Sequence, residues 1–119
     1  MKKLICLMFL FCSLVANGQQ QELFDFIGLK NQAESAFQQR NNEQVVALYE
    51  ELSNLIPDDA EVLYRLSLGY QWNDNYAAAL QAGAAAYEAG YREPASMAYR
   101  LAQLSALLGQ QDEALASAH

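Results

Sequence analysis

Two sets of residues recur along this 119-residue chain at one spacing: Val45, Ala79 and Ala114, and Gln32, Leu66 and Leu101, separated in each set by 34 and then 35 residues. A chain that repeats itself at that interval folds as a row of like units, each too small to bury its own apolar face and each resting on the next. The segments between breakers show what the unit is. "PDDAEVLYRLSLGYQW" opens with Pro57 and the Asp58–Asp59 pair, which can cap free backbone amides, and repeats Leu63, Leu66 and Tyr70 on one helical face. "NDNYAAALQAGAAAYEAG" restarts a helix at Asn75 and stops it at Gly90. "EPASMAYRLAQLSALLG" has Pro94 near its start and Gly109 just past its end, the asymmetry expected of one helix. From Phe24 onward no segment alternates as a strand does, so the expectation is helix, short turn, helix, repeated.

The middle unit carries Leu63, Leu66-Ser67, Tyr70, Ala79 and Ala86, and the first carries Leu29, Ala33, Val45, Tyr49, Leu52 and Pro57. The third has Leu101-Ala102, Gly109 at the turn and "DEAL" from Asp112 to Leu115. This order of large, small and aromatic positions over a helix pair resembles the tetratricopeptide repeat family. The resemblance covers residues 24–119 and implies an all-α fold, helix-turn-helix repeats stacked as a short right-handed α-solenoid. The units fall at 26–59, 60–94 and 95–119, the last one incomplete, which points to the amino-terminal part of a longer protein. Several positions depart from the pattern: Gln32 at a leucine site, Ala36 and Ser105 at an aromatic site, Gly83 where a large ring is usual, and Tyr91 in place of the linker proline. Gly83 is expected to admit a bulky neighbour, Tyr70 or a ring from the third unit.

The first 18 residues read differently. Lys2 and Lys3 precede an apolar run from Leu4 to Ala16, and Ala16-Asn17-Gly18 puts small residues at a cleavage position, the layout of an export signal. The run is too short to span a bilayer, which takes about 20 residues. Phe11 before Cys12 is too bulky for a lipid-attachment motif, and Cys6 comes too early for one. Removal of residues 1–18 leaves a repeat region, 19–119, that begins at Gln19 and has no cysteine, hence no disulfide and no thiolate chemistry. A two-lysine leader with glutamine after the cut points to the periplasm or cell envelope of a Gram-negative bacterium.

Within 19–119 only five basic residues (Lys30, Arg40, Arg65, Arg92 and Arg100) stand against fourteen acidic ones. That balance opposes nucleic acid and anionic membrane surfaces as partners. His119 is the single histidine, so no imidazole base or histidine metal site lies within the repeats. The adjacent acid pairs Glu50-Glu51, Asp58-Asp59 and Asp112-Glu113 read as caps and solvated surface. Asn73-Asp74-Asn75 lacks the glycine and distal glutamate of a calcium loop and reads as a turn with a cap. No catalytic residues, no metal and no cofactor are therefore expected.

An array of this type implies binding of an extended or helical peptide on the concave face lined by first helices. The first-helix residues outside the packing pattern are Lys30, Glu34 and Phe37, then Tyr64, Leu68 and Trp72, then Tyr99 and Gln103. Tyr64 and Trp72 also fit a packing role, as rings at helical spacing commonly do. Glu34 and Leu68 stand where the chaperone-type members of the family would have asparagines, which argues against their carboxylate clamp. Two roles follow as expectations: an exported module that binds a protein or peptide partner, or an accessory region that positions an enzymatic or barrel domain of a larger envelope protein.

Overall fold

The computed structural model describes residues 2–117, with side chains described over 21–116; the side chains of residues 1–18, where an export signal is expected, and His119 lie outside them. Its elements are five α-helices: α1 (Lys2–Gln39), α2 (Asn42–Leu55), α3 (Ala60–Trp72), α4 (Tyr76–Glu88) and α5 (Pro94–Ser117). Each packs chiefly on its neighbours in sequence, and the described residues include no strand. The fold is the expected all-α helical repeat.

The short polar segments start and stop the helices as the sequence indicates. Asp59 and Asn75 cap α3 and α4, their side chains accepting from the Val62 and Ala78 backbone N–H groups at 3.1 and 3.3 Å. Each satisfies one of the free amides of a first turn. Three helices end on a residue in the left-handed region: α1 at Arg40 (φ 56°), α3 at Asp74 (φ 60°) and α4 at Gly90 (φ 89°). In each case the next two N–H groups reach back to the last turn, as with Gly90 to the Tyr87 carbonyl and Tyr91 to that of Ala86. Asn73-Asp74-Asn75 is thus a turn and cap. The Asn73 side-chain amide also ties it to the Asn42 and Gly69 carbonyls.

The core has two parts. Ala33 and Ala36 of α1, Val45, Tyr49 and Leu52 of α2, and Val62 and Leu66 of α3 form the larger. Ala86, Tyr91 and Met97 form the smaller, joining α4 to α5. A fully buried side chain of the size of Leu52 contributes about 2 kcal/mol. Small residues let the helices close on one another. A Cβ at Gly69 would lie 2.7 Å from Val45 Cγ1, and one at Gly83 2.9 Å from Leu101 Cδ2 and 3.2 Å from Ser67 Oγ. Gly83 does admit a bulky neighbour, but that neighbour is Leu101, not Tyr70 or a ring.

The third unit departs from the sequence reading. Helix α5 runs on through Gly109, where a turn was expected. Gly109 holds helical geometry with nothing within 4 Å of its missing side chain. A glycine inside a helix costs only about 1 kcal/mol relative to alanine. Ala114 and Leu115, the apolar residues nearest after it, are exposed along the continuous helix. Helical hydrogen bonding prevails.

Candidate interaction face

Rings and guanidinium groups connect the first helices of the units in turn, α1 to α3 and α3 to α5, and the sides so connected form the candidate face. Near its end, α1 places Phe37 against Tyr49 of α2 (centroids 6.2 Å apart, interplanar angle 73°) and against Trp72 of α3 (5.2 Å, 36°). Arg40 lays its guanidinium 4.5 Å from the centre of the Trp72 ring, and Arg65 sits 4.9 Å from that of Phe37. Cations over rings at these distances attract through the ring quadrupole. Arg65 also donates to the Tyr49 hydroxyl at 2.9 Å and pairs with Glu61 at 3.2 Å. Burial works against the charge of Arg65, but Tyr49 and Glu61 outweigh it and hold its pKa above the ordinary guanidinium value.

A second group lies between α3 and α5. Tyr64 stacks on Tyr91 with centroids 4.7 Å apart, and Arg100 covers Tyr64 at 5.6 Å. Arg100 Nη2 donates at 3.1 Å to Ser67 Oγ, whose own proton goes to the Ala79 carbonyl at 2.6 Å. Arg100 Nε is buried and has no hydrogen-bond partner. Burial lowers the Arg100 pKa, and the only charge effects opposing it come from Tyr64 and Tyr91.

Beside the first group, α1, α2 and α3 enclose a cavity of about 400 Å³. Phe26, Leu52 and Val62 give it apolar walls, and its charged groups are Lys30 and Arg65 with Glu34, Asp59 and Glu61. Its size falls within the range of small-ligand pockets.

The eight residues singled out from the sequence divide by environment. Phe37, Tyr64 and Trp72 are half-buried and held in the ring contacts above, so they pack units together as well as edging the face. Trp72 is enclosed by Phe37 and Arg40, and its carbonyl accepts from the Asn42 side chain at 3.3 Å. Lys30 and Glu34 meet at the cavity. Leu68 is half-buried, whereas Tyr99 (68% exposed) and Gln103 lie open on α5.

Sequence reasoning missed Arg65 and Arg100, yet the signal was present. They stand 35 residues apart, each immediately before a member of the set Leu66 and Leu101. Among the described residues no group of three or more histidine, cysteine, aspartate or glutamate side chains is placed to hold a metal ion. Likewise, no helix searched is long and apolar enough to cross a membrane. Compared with models of known protein families and with curated proteins, the chain matches none.

Proposed function

We propose that this chain is an exported, non-enzymatic interaction module of the tetratricopeptide type. It would hold a peptide or protein partner on the candidate face formed by α1, α3 and α5. One observation carries the reading. In a region with five basic residues against fourteen acidic ones, Lys30, Arg40, Arg65 and Arg100 reach this face beside Glu34, Asp59 and Glu61, interleaved with Phe37, Tyr64 and Trp72. Concentrating scarce cations and rings on one surface favours recognition, since aromatic and arginine side chains dominate the energetics of protein interfaces. The spacing of the repeats and the leader-like residues 1–18 support the family and the export route.

The test is selection of peptides from a displayed library on the immobilised protein. The exposed edge is then changed in the variant Lys30→Glu plus Tyr99→Ala, which leaves the core untouched. Selected peptides should bind the variant at least about tenfold more weakly. Equal binding would remove this face from consideration. The export route is checked by the mass of the chain recovered from the periplasm, which should begin at Gln19.

A further inference from the structure

We propose that the α3–α5 part of this face is a subsite for a single side-chain carboxylate of an otherwise uncharged, apolar partner segment, with the Arg100 guanidinium as its anchor and Tyr64 and Leu68 as its apolar bed. The inference rests on the interaction-face reading above and adds the chemistry of the partner.

Arg100 is the unusual cation of this molecule. A guanidinium carries five N–H donors, and here one of them, on Nη2, has a described acceptor. Among the described residues no carboxylate stands within ion-pair distance of Arg100, although the chain carries twice as many acidic as basic residues. Arg65, the equivalent residue one unit earlier, shows the usual solution: Glu61 one turn away on its own helix and a tyrosine hydroxyl across the interface. The residue one turn before Arg100 is Ser96, so no such acid is supplied.

A half-buried guanidinium with an unpaired Nε is costly to the fold, because desolvation is not offset by a counter-charge. The Tyr64 ring and Ser67 hydroxyl hold the group in place without neutralising it. Nε itself is closed to solvent, so a partner carboxylate would pair with the Nη end of the planar guanidinium and supply the missing counter-charge there. Tyr64 and Leu68 of α3 are half-buried, and Tyr99 and Gln103 of α5 are exposed, so an extended segment laid over Arg100 has an apolar bed and an open polar rim.

The probes are three peptides measured by fluorescence anisotropy in physiological salt. One is an acetylated, amidated leucine-rich peptide with one central glutamate. The second is its glutamine counterpart, and the third is that counterpart with a free carboxyl terminus. The glutamate peptide should bind the full chain and bind Arg100→Met at least about tenfold more weakly, with Arg92→Met as an unaffected control. Arg100→Met should keep or raise the melting temperature, since it deletes an uncompensated charge while keeping the stem packed.

Equal binding of the glutamate and glutamine peptides would overturn the carboxylate subsite while leaving the interaction face. Binding that needs the free terminus would overturn the side-chain assignment. If none of the peptides binds while library-selected peptides do, the subsite is wrong and the face stands; if neither kind binds, both fall. Should Arg100→Met not fold, the Arg100 Nε–H resonance of the unmodified chain decides. It should shift on adding the glutamate peptide, and an unmoved resonance overturns the proposal.

Discussion

Tyr70 shows how one residue ties two units together and gives the fold a pH dependence. Its hydroxyl donates to Glu50 Oε1 across the α2–α3 junction. Burial, then the hydrogen bond and charge of Glu50, push the Tyr70 pKa up to about 12 from the ordinary 10.0. An acid whose folded pKa lies above its unfolded one contributes stability that is complete below the unfolded value and is lost as pH rises through the folded one. The Tyr70 contribution should therefore be intact at neutral pH and drain away between about 10 and about 12. Tyr49 and Tyr91 are raised as well, so the informative quantity is a difference. The urea midpoint of the unmodified chain should fall more steeply over that window than the midpoint of Tyr70→Phe. Parallel curves would show that folding does not raise the Tyr70 pKa.

At the scale of the element, three of the glycines inside helices, Gly69, Gly83 and Gly109, should each answer differently to alanine. Gly109 has open space around it, so Gly109→Ala should stabilise α5 by about 1 kcal/mol. Gly83→Ala gains the same helix propensity but presses on Leu101 Cδ2 and Ser67 Oγ. The leucine end can rotate, so the net change should be close to zero. Gly69→Ala meets Val45 Cγ1 at 2.7 Å, and that side chain is fully buried and stiff at χ1. It should therefore destabilise by about 1–3 kcal/mol. Thermal melts of the three variants check the order, and a stabilised Gly69→Ala would refute the close α2–α3 approach.

The same element scale marks what could be read in advance. Asp59, Asn75 and Gly90 were legible because a cap or a left-handed residue leaves a local mark: a short polar side chain, or a glycine, beside an apolar run. Gly109 misled for an instructive reason. It occupies the register position of Arg40 and Asp74, both of which turn the chain, but a glycine in open space costs a helix only about 1 kcal/mol and so can sit inside one as readily as end one. Arg65 and Arg100 escaped because an arginine on a helix looks solvated in sequence. The length that lets it lie over a ring of the preceding unit appears only once the helices are side by side.

For the whole molecule, contacts between sequence neighbours mean that each junction carries its own share of stability. The junction of the first two units is the richer one. It holds the Arg40–Trp72–Phe37–Arg65 contacts, the Tyr70–Glu50 and Asn73–Asn42 hydrogen bonds, and the Gly69–Val45 approach. Beyond Leu108, α5 is largely exposed and is tied back by the Gln111 amide to the Asp74 carbonyl at 3.3 Å. Opening should begin there and reach the first junction last.

That order gives Trp72 an unplanned use. It is the sole tryptophan in the chain, and it sits at the richer junction between a guanidinium and a second ring. Its emission is thus an optical gauge of one seam, whereas far-UV circular dichroism averages over every helix. The two signals should not trace a single denaturation curve: ellipticity should decay first as the distal α5 frays, with the tryptophan red shift following at higher denaturant. Superimposed curves would mean that the array melts as one block. A gap between them would measure, without any label, how loosely its two junctions are coupled.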